Sequence, residues 1–212
     1  MSVGFVTAVD LSEDMLAIAA GTAESRKIKN FETVVADCCA LPFPDNFFDS
    51  VSCRMGFMFF PDMQLAAKEI FRVLKPGGRM ATSVWGNPEK NSWTTGIMGV
   101  LSENIEMPAP APGSPGMFRC AKPGLVNELL SNAGFSNVAT EEITGYTKYE
   151  SPEKFWEMMT EVAAPVVSSL TKADPATRER IHQGALGLFK NSGSEYRLQY
   201  AALIFSAEKP SV

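Results

Sequence analysis

Two hydrophobic periods alternate along residues 5–86, and that alternation restricts the fold more than any other feature of the chain. "FVTAVD" (5–10) is a short β-like run ending in an acid. Ser12 is placed to cap the helix that follows, with Glu13 and Asp14 favouring its positive N-terminus. Met15, Leu16, Ala19, Ala20 and Ala23 then repeat at helical spacing. "FETVVAD" (31–37) predicts a second strand, again ending in an acid, and "FDSVSC" (48–53) a third after the turn-rich "LPFPDNFF". Asp62 is a candidate cap for a helix whose apolar face is Ala66, Ile70, Val73 and Leu74. "KPGG" (75–78) is expected to stop that helix before a fourth strand, "RMATSVW" (79–85). Strands separated by helices in this order imply an α/β fold with a parallel sheet.

The remaining residues change character. Residues 87–118 hold "NPEKNSW" and "PAPAPGSPGMF" and predict a lid-like insertion or surface excursion. Order resumes with "KPGLVNELLSNAGF", a helix ended by Gly134, and "SNVATEEITGYTKY", a strand. Residues 145–190 are expected to form a helical cap insertion. Within it Phe155, Met158, Met159, Val162 and Val166 share a face, Pro165 is expected to kink the helix, and Asp174–Pro175 starts another. "YRLQYAALIFSAEK" (196–209) predicts a last strand, and the whole is expected to form one domain.

Composition excludes several roles. The chain has 212 residues, 45% hydrophobic and 20% charged, with a net charge of −5. No basic stripe suits a nucleic-acid backbone. No apolar run reaches the roughly 20 residues of a membrane span, and the N-terminus lacks the pattern of a signal peptide. The four cysteines have no CxxC spacing, so no metal site is expected, and reduced thiols in a cytoplasmic protein are the simplest expectation.

Asp10 and Asp37 carry the functional reading. Both end predicted strands, and in open α/β sheets ligands bind outside the carboxyl ends of the strands. Two acids at neighbouring strand ends suit a nucleoside, one accepting from the ribose hydroxyls and the other from the adenine amino group. Each would equally begin a solvated loop.

With "VDLSEDML", "ADCCALPFPDNFFDSVSC" and "AAKEIFRVLKPGGRMATSVW" in place, the chain resembles the class I S-adenosylmethionine-dependent methyltransferases. It is most similar to the subgroup that includes the ubiquinone and menaquinone biosynthesis enzymes. The resemblance is close over residues 5–86 and looser to the last strand. It implies a Rossmann-like, mostly parallel sheet with flanking helices and an antiparallel last strand. It implies methyl transfer from S-adenosylmethionine to a small-molecule acceptor, with an apolar part suggested by the aromatic residues. Asp10 and Leu11 would then lie at the ribose, Asp37 and Cys38 at the adenine, and Arg54, Met55 and Gly56 beside the methionine part. Phe57, Phe60, Trp85 and Tyr146 are candidate walls of an acceptor pocket. No catalytic acid or base stands out, and the lone histidine, His182, reads as a boundary residue of a cap helix.

The family's first strand and glycine-rich turn have no counterpart before the Asp10 strand, where Gly4 stands alone. The expectation is that the Asp10 strand pairs directly with 48–53 to close the gap, or that another chain, such as the second copy in a homodimer, fills it. Two other functions stay open. One is a non-catalytic remnant of the fold; the other is a nicotinamide-dependent oxidoreductase, although no tyrosine here has a lysine four positions on.

Overall fold

The strands form two sheets. In the computed structural model, which describes residues 4–107, 111, 113–190 and 195–211, β1 (Val6–Asp10) and β2 (Phe31–Val35) make a two-stranded sheet. The other sheet has β3 (Phe48–Arg54), β4 (Leu74–Trp85), β6 (Tyr196–Glu208) and β5 (Ser136–Tyr149), in that spatial order. The helices are α1 (Glu13–Ser25), α2 (Met63–Val73), α3 (Ser92–Asn104), α4 (Leu125–Ala133), α5 (Pro152–Val162), α6 (Ala164–Lys172) and α7 (Pro175–Gly187).

β1 and β2 are parallel, in register from Val6 opposite Phe31 to Asp10 opposite Val35. Contacts of β3 with β4 advance together along both strands, Lys75 on Asp49 and Thr82 on Cys53, so this pair is parallel too. The hydrogen bonds of Gly77 and Gly78 with Lys209, and of Gly86 with Ala201, run in opposite senses, so β6 is antiparallel. Every strand except β6 therefore runs one way within its own sheet, as expected from the strand–helix alternation. β1 does not pair with β3, so the gap anticipated between them is not closed by direct pairing.

Two compact units divide the chain. The first is Met1–Thr82, Gly124–Thr140 and Phe205–Val212; the second is Ser83–Pro123 and Glu141–Ile204.

In the first unit both predicted caps form. Ser12 Oγ accepts from the Met15 amide at 3.3 Å, and Asp62 Oδ1 from the Leu65 amide at 2.9 Å. α2 buries Met63, Ala66, Ala67, Ile70 and Val73. α1 buries only Leu16 and Ala23, and leaves Met15 and Ile18 exposed. The helix does stop at Val73, but the strand begins at once, with "KPGG" inside β4 rather than before it. Gly77 takes a positive φ of 75°. A Cβ on Gly78 would come within 2.7 Å of the Lys75 carbonyl, so only glycine fits that junction. Lys209, at the far end of β6, caps the helix by donating to the carbonyls of Phe71 and Leu74 at 2.8 and 2.7 Å.

Arg72 fastens the 41–45 segment to α2. Its Nη2 donates to Leu41 O at 2.9 Å, and its Nη1 to Phe43 O at 2.7 Å and Asp45 Oδ1 at 2.9 Å. Its Nε and Nη2 grip the two oxygens of Glu69, each at 2.8 Å. Glu69 Oε2 also accepts the Leu41 amide at 2.9 Å. The Phe43 and Phe47 rings pack edge-on to Phe48 at the start of β3.

In the second unit, α3, α5, α6 and α7 share a core that includes Ile97, Leu101, Phe155, Met159, Val166 and Ile181. The proline-rich 87–118 segment therefore is not all excursion: α3 lies within it and buries Ile97, Val100 and Leu101. Residues 108–110 and 112 of that segment lie outside the described residues. Buried Asn91 pairs through its side chain with both backbone groups of Ala201, donating at 3.0 Å and accepting at 3.1 Å. Pro165 does more than kink the cap helix. α5 ends at Val162 and α6 restarts at Ala164, with the proline in its first turn, where a missing N–H costs nothing. The break takes Val162 off the shared face, and it is 69% exposed.

The Arg72 fork should be costly to lose. Arg72→Ala strips donors from two carbonyls and two carboxylates and should destabilise the protein by about 2–4 kcal/mol in urea unfolding. Arg72 also holds the Glu69 carboxyl below its ordinary value of 4.5. Folding stability from that pair is thus present above pH 4.5 and lost as pH falls through the lower folded value. Glu69→Gln should flatten this acid limb; an unchanged limb would show that other carboxylates govern it.

Candidate functional site

The first unit holds a cavity of about 800 Å³ whose wall includes all seven residues predicted for the cofactor: Asp10, Leu11, Asp37, Cys38, Arg54, Met55 and Gly56. They come from just three places, the carboxyl ends of β1, β2 and β3. A parallel strand delivers its last residues to one rim of its sheet, and each of these strands hands over to a turn at that point. The volume lies within the range of small-molecule sites.

Each acid shapes its own turn. Asp10 Oδ1 accepts the Ser12 amide at 2.9 Å, which also sets the entry to α1. Its Oδ2 meets no protein donor among the described residues, and the side chain is exposed. Asp37 Oδ1 accepts the Cys39 amide at 2.8 Å in the same way, while Asp37 O takes the Ala40 amide. The sequence had equal room for solvated loop acids. The structure places both on the wall of one cavity.

After β3 the chain reverses sharply. Met55 adopts a left-handed φ of 57°, and Gly56 follows. A Cβ on Gly56 would stand 2.9 Å from Cys53 Sγ, so a larger residue there would have to push that thiol aside. Phe57 and Met58 are then driven into the core, while Phe59, Phe60 and Pro61 line the cavity.

The cysteines here are thiols, not thiolates. Burial, then the neighbouring Cys53 and the Asp37 carboxylate, pushes Cys38 up to about 12. Burial also raises Cys53, against amide hydrogen bonds from Gly56 and Phe57. Neither suits a nucleophile at neutral pH.

The predicted acceptor-pocket residues separate. Phe60 lines the cavity. Phe57 is fully buried, its ring edge-on to Phe60 at 5.5 Å, and does not reach the cavity wall. Trp85 and Tyr146 belong to the second unit. There Trp85 packs on Trp93 at 4.9 Å, and Tyr146 lies beneath the Arg197 guanidinium at 4.7 Å. His182 packs against Trp156 at 5.1 Å. Sequence reasoning missed Leu41 and Phe43, whose alternation with the two prolines of "LPFP" was the available signal, and missed the run Phe5–Val9. Among the described residues, no helix is long and apolar enough to cross a membrane.

Known proteins resemble this chain in sequence and in fold. The protein-family profile for the methyltransferase domain matches residues 2–82. The demethylmenaquinone methyltransferase of Listeria welshimeri is 37% identical over 90 residues, which cover 42% of this chain and 38% of that protein. The chain thus spans less than half the length of that relative. The fold is similar to that of the YcgJ protein from Bacillus subtilis, with a TM-score of 0.64, 17% identity, and coverage of 98% of this chain and 83% of that one. It is also similar to phosphoethanolamine N-methyltransferase 2 of Haemonchus contortus, solved with phosphomonomethylethanolamine and S-adenosylhomocysteine. That match has a TM-score of 0.54 and 20% identity over 98% of this chain and 44% of that one.

The raised Cys38 value gives a direct check. Alkylation of Cys38 by iodoacetamide, mapped by mass spectrometry, should keep rising about tenfold per pH unit through about pH 10. A plateau near pH 9 would show a thiol free of burial.

Proposed function

We propose, from the premise that this chain belongs to the class I S-adenosylmethionine-dependent methyltransferase family, that its cavity binds S-adenosylmethionine and that the protein methylates a small molecule with an apolar part. The observation that supports this most is the gathering of Asp10, Asp37 and the Arg54–Gly56 turn on one cavity wall. The donor and acceptor chemistry fits the cofactor. An exposed carboxylate with an unengaged oxygen suits vicinal ribose hydroxyls, and Asp37 with the Cys38 backbone suits an adenine edge.

When bound, S-adenosylmethionine supplies a methyl group activated on a sulfonium. The chain's own residues then have three tasks. Asp10 orients the ribose through Oδ2, while its Oδ1 stays committed to the Ser12 amide and keeps the carboxylate still. The Met55–Gly56 reversal brings backbone close to the cavity beyond β3. Phe59, Phe60 and Pro61 exclude water from the same space. Approach geometry and water exclusion supply much of the barrier lowering in a displacement of this kind, so no dedicated acid or base is required. The neutral thiols of Cys38 and Cys53 are consistent with a wall that does not compete for the methyl group. The name of the Listeria relative favours an acceptor of the quinone class.

Titration with S-adenosylmethionine and separately with NADH tests the reading, and binding of NADH alone would favour an oxidoreductase. Asp10→Ala should weaken S-adenosylhomocysteine binding by about 1.5–3 kcal/mol, the scale of hydrogen bonds to a charged group. Equal affinities by calorimetry would remove Asp10 from the site.

A further inference from the structure

One charge on the cavity wall is left idle by the protein. Of the described residues that line the cavity, Arg54 is the sole cation, set against the carboxylates of Asp10 and Asp37. Its place is fixed by the chain: it is the last residue of β3, and the left-handed Met55 reverses the backbone directly after it. Among the described residues, no carboxylate, carbonyl or ring engages its guanidinium. Arg72 is the contrast, since all five of its N–H groups are used within the protein. A guanidinium keeps its charge at any working pH and presents its donors in a planar fork, so an idle one on a concave wall suits an oxygen anion. The wall continues into Phe59, Phe60 and Pro61, so such an anion would belong to a molecule with an apolar body.

We infer that the Arg54 side chain anchors the methyl acceptor by binding an ionised hydroxyl, phenolic or enolic, while the Met55–Gly56 backbone stays with the cofactor. This rests on the proposed methyltransferase reading and narrows its acceptor from apolar to apolar and anionic. Two observations favour the acceptor over the cofactor as the ligand of the guanidinium. First, the methionine half of S-adenosylmethionine carries an ammonium beside its carboxylate. The wall from Cys53 to Gly56 and from Phe59 to Pro61 holds no carboxylate to receive that ammonium, so a ligand with negative charge alone fits it better. Second, the wall has no group free to take a proton from the acceptor. The Cys38 and Cys53 thiols are neutral, and Asp10 and Asp37 are engaged by the nucleoside in the proposed reading. An acceptor bound already ionised needs no base. Arg54 favours that form, because a cation within a few ångströms lowers the pKa of an acidic hydroxyl. It also offsets the repulsion of an anion by the two wall carboxylates and by a chain whose net charge is −5.

The probe is 4-nitrophenol, an aromatic hydroxyl that absorbs visible light only when ionised. Its titration is followed by absorbance in the presence of the full chain, with and without excess S-adenosylhomocysteine. Bound to the parent chain it should ionise about one pH unit lower than when free, which corresponds to the anion being held about tenfold tighter than the phenol. Arg54→Gln should abolish the shift, and Arg54→Lys, which keeps the charge without the fork, should retain part of it. Arg54 has no partner among the described residues, so both variants should unfold at the parent's temperature. No shift with the parent chain, or the same shift with Arg54→Gln, overturns the inference. So does an about tenfold loss of S-adenosylhomocysteine affinity in Arg54→Gln with binding of 5′-methylthioadenosine unchanged. That nucleoside lacks the methionine carboxylate, and the result would give the guanidinium to the cofactor. Failure of the parent chain to bind S-adenosylhomocysteine would count against the proposed activity, yet the titration without it still reads Arg54, so the two failures are distinct.

Discussion

The guanidinium of Arg72 is the contact on which the geometry of the first unit depends. It is a planar, permanently charged fork, and here it joins two backbone carbonyls, Leu41 and Phe43, to two carboxylates, Glu69 and Asp45. Residues 41–45 have no regular structure of their own, so their carbonyls need partners from elsewhere. Arg72 supplies them from the last turn of α2, where a cation is also favoured by the helix dipole. The segment thus fixed follows directly from Asp37 and Cys38 and leads into Phe48 at the start of β3. One side chain thereby links the acid at the end of β2 to the strand that ends in Arg54.

This also accounts for the spacing of the motifs in the sequence. "LPFPDNFFD" and "EIFRVLKPGG" are far apart along the chain, yet they form one structural device. Glu69 and Arg72 belong to the second motif and bind Leu41, Phe43 and Asp45 of the first. The glycines at the end of the second motif then turn the chain from helix to strand without a loop, because Gly78 packs against the Lys75 and Asp49 carbonyls.

What was legible in the sequence was local. Ser12 and Asp62 as caps, Gly134 as a helix end at φ 105°, and acids at two strand ends follow from chemistry within a few residues. What was not legible depended on distant pairing. The early start of β4 rests on the Gly77 amide donating to the Lys209 carbonyl and the Lys209 amide donating to the Gly78 carbonyl. The burial of α3 rests on α5, α6 and α7, none of which its proline-rich flanks announce. Whether a strand is central or has an open edge is a property of its neighbours, so β1 reads identically either way. Aromatic identity had the same weakness. Phe57 and Phe60 are three residues apart, yet one points to the core and the other to the cavity, because the reversal at Met55–Gly56 decides the register.

The rim of the cavity and its strand-edge walls differ in kind. At the rim, the side-chain carboxylates are held by their own turns: Asp10 by the Ser12 amide and Asp37 by the Cys39 amide. These contacts are complete within a few residues and do not require β1 and β3 to be joined. Along the edges, the unmet groups are backbone N–H and C=O, which are satisfied only by water or by another backbone. A ligand that engages the carboxylates at the rim therefore leaves those edges as they were.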